Sequence, residues 1–126
     1  MTTSYIPDGA PVGLFENSYF YGWINDLVDF VRASAKVITV TAAYTITNND
    51  FLVRVDCTSA GVTITLPPVA NVRGKTCIVK KIDSSGNTLT LSGNGSDKID
   101  GSGTKTTTIQ YAIIRVISNG ASWDVI

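Results

Sequence analysis

The sequence contains no histidine, only two cysteines and one methionine among its 126 residues. Without imidazole there is no Ser-His-Asp or Cys-His nucleophile, no imidazole general base and no histidine metal ligand. Cys57 and Cys77 are too few for a disulfide framework or a four-cysteine zinc site, and no Cys-x-x-Cys pair is present. Charge is scarce: 16% of residues are Asp, Glu, Lys or Arg, against about 25% in ordinary soluble domains. The basic and acidic residues cancel and the pI is about 6.1, so the electrostatic footprint of a nucleic-acid binder is missing. No apolar run reaches the roughly 20 residues of a membrane helix. No Lys or Arg precedes Arg32, which argues against a signal peptide. There is no phosphate-binding loop and no dinucleotide fingerprint. Membrane insertion, cofactors and enzymatic activity are therefore not expected.

What is present is apolar. Hydrophobic residues make up 44% and the mean hydropathy is +0.18. A small chain of this composition needs a large core, or hides surface against partners. Composition changes near residue 35. Asp8, Glu16, Asp26 and Asp29 against Arg32 leave residues 1–35 at −3, so residues 36–126 carry +3.

The first part is aromatic. Pro7 and Pro11, with Gly9 and Gly13, make residues 1–15 read as an extended arm. Residues 16–34 read as one amphipathic helix, with Asn17 or Ser18 able to cap its start. Phe20, Trp23, Leu27 and Phe30 follow a helical spacing, and Ile24, Val28 and Val31 form an adjacent stripe. Gly22 weakens this helix by about 1 kcal/mol relative to Ala. Two heptads are too few for a stable isolated coiled coil. The helix must pack on its own β-domain, self-associate or dock on another protein.

From Lys36 onward, alternation of period two marks strands around Val37–Thr41, Phe51–Asp56, Val62–Leu66, Cys77–Lys80 and Thr88–Leu91. Ile109–Ile117 is the longest run. Asn119-Gly120 marks a hairpin into Ser122–Ile126, because both residues accept positive φ. Pro67-Pro68 ends one strand, and Ser85-Gly86-Asn87 and Asn94-Gly95 mark further turns. The expected fold is mainly β: an antiparallel β-sandwich or barrel at 36–126, preceded by the extended arm and one short amphipathic helix at 1–35. The strings "TITL" and "TLTL" place threonine on one sheet face, which is either solvated or meets a like face across a subunit boundary. No fixed-length repeat is evident.

Several pieces occur in a suggestive order: Asp56, "TITLP" at 63–67, Gly74, "IVKKIDSSGN" at 78–87, "DKIDG" at 97–101 and the closing "SNGASWDVI". Together they resemble a β-rich module of tailed-bacteriophage virion proteins of the tail fibre and tail spike type. The resemblance covers roughly two thirds of the chain. It implies a non-enzymatic virion part, commonly a homotrimer, made in the bacterial host cytoplasm and carried on the extracellular particle. The arm and helix lie outside the resemblance. From their composition, Tyr5, Ile6, Pro7, Phe15, Tyr19, Phe20, Trp23, Leu27 and Phe30 are the candidate contacts for particle attachment or oligomerisation, because aromatic anchors bury much area with few rotors. Partners would be other copies of the chain and either baseplate or tail proteins or the major capsid protein. The short length keeps a capsid cement, decoration or head-fibre protein as the alternative.

Asp97 and Asp100, with Asp83, are the only tempting carboxylates, and Asp100-Gly101 reads as a turn rather than an acid/base or calcium site. Lys80-Lys81 reads as a solvated strand end or a trimer-interface ion pair. Cys57 and Cys77 read as buried small hydrophobes, with a disulfide left open. Trp123 and Tyr111, with Tyr44, are the candidate contacts for a host surface glycan, the reading in which the chain is a carbohydrate-binding module, against core packing for the same rings.

Overall fold

The computed structural model describes residues 36–126. The arm, the helix and the attachment residues expected from Tyr5 to Phe30 lie outside the described residues. Among the described residues nine strands are present: β1 (Lys36–Val40), β2 (Tyr44–Thr45), β3 (Asp50–Val55), β4 (Val62–Thr65), β5 (Thr76–Lys81), β6 (Leu89–Ser92), β7 (Thr104–Thr107), β8 (Ile113–Ser118) and β9 (Trp123–Val125). Among the described residues the one helical element is a 3-10 turn at Val69–Asn71, and no helix is long and apolar enough to cross a membrane.

The strands form two mixed sheets, ordered β1-β3-β5-β8-β9 and β2-β4-β6-β7. Consecutive strands alternate between the sheets through β6. The chain therefore re-enters each sheet in the same direction, and β1, β3 and β5 run parallel, as do β2, β4 and β6. A parallel pair needs a crossover, and here the crossover of each sheet is a strand of the other. This is the connectivity of a short solenoid, in which each coil rests on its neighbour. β7, β8 and β9 then close the stack with antiparallel pairings. The expected antiparallel order is thus corrected for the first six strands. Alternation reports which residues face inward, not which strand lies alongside.

That alternation holds in detail. Val62 and Ile64 pair with Leu89 and Leu91 and all four are buried, while Thr63 and Thr65 pair with Thr90 and Ser92 on the outer side. The similar strings noted in the sequence are therefore stacked neighbours. Val53 and Val55 of β3, Cys77 and Val79 of β5 and Ile114 and Val116 of β8 complete one core shared by both sheets. Truncating such a buried aliphatic costs about 2–5 kcal/mol.

The run at Ile109–Ile117 is not one strand. It breaks between β7 and β8, where Tyr111 takes φ +65 and donates its N–H to the Lys81 carbonyl at 2.6 Å. The Asn119-Gly120 hairpin forms as expected, with Gly120 at φ +94 and the Asn119 N–H on the Ser122 carbonyl at 3.0 Å. Gly93 is required by close approach, because a Cβ there would collide with the Asp97 carbonyl.

Candidate functional site

Strand β5 has two sides. Its inward side carries Cys77, Val79 and Lys81; its outward side carries Thr76, Ile78 and Lys80. The two neighbouring lysines therefore have opposite surroundings.

Lys81 is completely buried. Its ammonium donates to Asp83 Oδ2 at 2.9 Å, the Asp83 carbonyl at 3.1 Å and the Ser85 carbonyl at 2.6 Å. Three donors thus meet three acceptors. Asp83 Oδ1 accepts the Cys57 N–H at 2.7 Å, and Oδ2 also accepts the Ser85 N–H at 3.0 Å and the Ser85 hydroxyl. Asn87 Nδ2 donates to the Cys57 carbonyl at 2.8 Å and the Thr58 carbonyl at 3.2 Å. Burial pushes the Asp83 carboxyl up. The Ser85 hydroxyl, the Cys57 N–H and the Lys81 ammonium outweigh it and hold the group well below the ordinary carboxylate range. This network ties the end of β3 to the turn after β5. It corrects the solvated-strand-end reading for Lys81. The signal was present in the sequence: Lys81 continues the inward phase of Cys77 and Val79, with Asp83 two residues on.

Asp50 is the second buried carboxylate. Its Oδ2 accepts the Tyr44 hydroxyl at 2.6 Å, the Thr47 N–H at 2.9 Å and the Thr47 hydroxyl at 3.1 Å. Burial raises its pKa, but those donors and nearby Lys36 bring it below the ordinary value. Asp50 fastens β3 to Tyr44 of β2, so the two sheets are pinned to each other.

The remaining candidates are also structural members. Asp97 Oδ2 accepts the Val69 N–H at 2.9 Å, and Asp100, at φ +49, accepts the Val125 N–H at 3.2 Å. Asp97 and Asp100 are thus engaged separately, and among the described residues no cluster of ligands could hold a metal. Cys57 and Cys77 are buried free thiols, and burial pushes the Cys77 pKa up to about 11. Trp123 is fully buried with its Nε1 unpartnered, so it offers no ring face to a sugar. Tyr111, in contrast, is 61% exposed.

The two outer sheet faces differ in chemistry. On the four-stranded sheet, Thr45, Thr63, Thr65, Thr90, Ser92, Thr104 and Thr106 share the outward side through cross-strand pairing. On the five-stranded sheet, one row reads Thr39–Arg54–Lys80–Ile113 and the next reads Val37–Leu52–Ile78–Arg115. Val37 is 55% and Ile113 56% exposed. The Lys80 ammonium lies 5.4 Å from the centre of the Tyr111 ring. Arg54 donates to the Thr39 hydroxyl at 3.1 Å. Among the described residues the one ion pair is Lys81–Asp83, so the cations of this outer face have no carboxylate partner there.

Compared with known proteins, the chain matches no family model and no curated sequence.

Proposed function

We propose that the chain is a non-enzymatic structural protein of a tailed-phage particle, a tail fibre or short tail appendage. Its β-unit projects as a homotrimer, and its first 35 residues dock on the tail or baseplate. One observation carries the structural part of this reading. Every piece of sequence that resembles the virion module is a piece that builds the fold. Asp56 accepts the Thr58 N–H and hydroxyl at 2.9 and 2.6 Å. "TITL" is β4 with its flank, and Gly74 turns at φ +85 ahead of β5. "KIDSSGN" is the Lys81–Asp83–Ser85–Asn87 network. "DKIDG" and the closing segment are stitched together by the Trp123 N–H on the Lys98 carbonyl and the Asp100 N–H on the Trp123 carbonyl. The resemblance is therefore one of scaffold, and the buried and half-buried polar groups of these pieces, Lys81, Asp83, Ser85 and Asn87, are engaged in holding it. Two sheets that share one core, as the layers of a sandwich would, suit a rigid projecting part.

A cryo-EM map of particles carrying the protein tests location. Density on the tail supports the reading, whereas density on the capsid lattice replaces it with a cement or decoration protein. Sedimentation equilibrium tests the trimer: a 13.4 kDa species at micromolar concentration overturns it.

A further inference from the structure

Two Asn-Gly steps turn the chain, Asn94-Gly95 and Asn119-Gly120, with the glycines in the left-handed region at φ +58 and φ +94. Such a step carries a reaction of its own. Glycine has no Cβ to shield its amide nitrogen, so that nitrogen can reach the side-chain Cγ of the asparagine before it. The two steps are held very differently. Asn119 Oδ1 accepts the Ala121 N–H at 2.9 Å and the Ser122 N–H at 2.8 Å, and its Nδ2 donates to Ser122 Oγ and Asp124 Oδ2, both at 3.1 Å. Both ends of the amide are thus occupied. The Gly120 N–H donates to Ser118 Oγ at 3.1 Å, and Arg73 lies over the glycine, its Cδ 3.3 Å from where a Cβ would stand. Among the described residues the Asn94 side chain makes a single hydrogen bond, from Nδ2 to the Leu66 carbonyl at 3.2 Å. The exposed Gly95 donates its N–H to none of the described residues, and nothing lies within 4 Å of its Cβ position.

We propose that Asn94 is a site of spontaneous deamidation in the folded protein, and that the hydrogen bonds of Asn119 protect the second step. The Gly95 nitrogen attacks Asn94 Cγ. The new N–C bond closes a cyclic imide as the Cγ–Nδ2 bond breaks, and Nδ2 leaves as ammonia with the proton of the Gly95 amide. Water then opens the ring. Attack at Cγ gives aspartate, and attack at the main-chain carbonyl gives isoaspartate. Ring closure needs the reacting atoms brought to near-attack distance. Asn94 gives up one hydrogen bond to get there, whereas Asn119 gives up four and Gly120 one more. The product changes the turn. The Asn94 carbonyl accepts the Asp97 N–H at 2.9 Å across it, and the Asn94 side chain ties it to the end of β4. A carboxylate cannot donate to the Leu66 carbonyl. Isoaspartate adds a backbone carbon beside Gly93, where even a Cβ would collide with the Asp97 carbonyl. The reaction therefore adds a negative charge at residues 94–97 and loosens their tie to β4. It requires no partner and does not depend on the proposed place in a virion.

The test is peptide mass spectrometry of the full chain aged in mildly alkaline buffer, once folded and once in urea. Tryptic cleavage leaves Asn94 in the peptide 82–98 and Asn119 in 116–126, and fragment ions separate Asn94 from Asn87. In urea both Asn-Gly steps should gain the mass of an amide-to-acid exchange at similar rates. In the folded protein Asn94 should react about ten-fold or more faster than Asn119, the kinetic weight of the extra hydrogen bonds. Ser122→Ala with Asp124→Ala, which removes both acceptors of Asn119 Nδ2, should narrow that gap. Asn94→Asp, which carries the side chain of the aspartate product, should lower Tm by about 3 °C or more. Equal rates at the two sites in the folded protein would overturn the assignment. So would a folded Asn94 that stays intact while both sites react in urea, or an unchanged gap in Ser122→Ala with Asp124→Ala. An unchanged Tm in Asn94→Asp would overturn the loosening of the turn.

Discussion

The interior end of β5 and its outer row use the same chemistry to opposite ends. Inside, Lys81 is enclosed and every donor has an acceptor. Outside, Lys80 stands beside Arg54, and no carboxylate among the described residues pairs with either. The difference is one residue of register. On a strand, neighbours in sequence face opposite sides, so one lysine joins the core and the other the surface. A buried ion that lost its partner would be very costly, whereas an exposed cation is screened by water and salt. Satisfaction is therefore compulsory inside and optional outside.

The largest effect should come from breaking the interior. Lys81→Ala leaves the Asp83 carboxylate without its counter-charge and is expected to lower Tm by roughly 10 °C or more. Lys80→Ala should move it by no more than about 3 °C. Differential scanning calorimetry of the two variants compares the sides directly, and equal shifts would dissolve the contrast.

Acid should act on the interior as well. The folded pKa values of Asp83 and Asp50 are both depressed. Their stabilisation is fully present above the unfolded carboxylate value of about 3.9 and is lost as pH falls from there toward the folded values. Unfolding free energy measured by urea titration should thus decline below about pH 4. The slope should be shallower in Asp83→Asn, whose starting stability is lower.

Smaller effects test the outer row. Lys80→Glu places opposite charges across β3 and β5 and should stabilise by about 0.2–1 kcal/mol at low salt, fading as salt is added. A loss of stability would show that the two cations do not repel. Tyr111→Gly should change stability by less than about 1 kcal/mol, since relief of the left-handed strain is offset by glycine's entropy and the lost Lys80 contact. At the bottom of the scale, Thr63→Val and Thr90→Val, on the hydroxyl face of the other sheet, should each stay within about 0.5 kcal/mol.

Much of the strand inventory was legible because facing is a local property. Val62-x-Ile64 and Leu89-x-Leu91 announce an inward side without reference to any partner. The Asn119-Gly120 hairpin was equally legible, since its chemistry lies within the turn. The site was less so. Nothing local in the sequence separates Tyr111, which is exposed, from Trp123, which the core encloses completely. Arg54 and Arg115 carried no local signal, because only pairing with β5 brings them beside Lys80.

The sequence by itself determined the absence of imidazole chemistry, the change of composition near residue 35, the β character of the second part and the alternation of its side chains. All of these depend on residue type and on neighbours one or two positions away. Only the tertiary structure decided that the first six strands stack in parallel coils, that the run after Ile109 breaks at Tyr111, that Lys81 is an interior group and that three cations share one face. Those outcomes depend on contacts between residues distant along the chain. Their cost is the entropy of closing loops and their reward is a shared core, and neither can be read from a single strand.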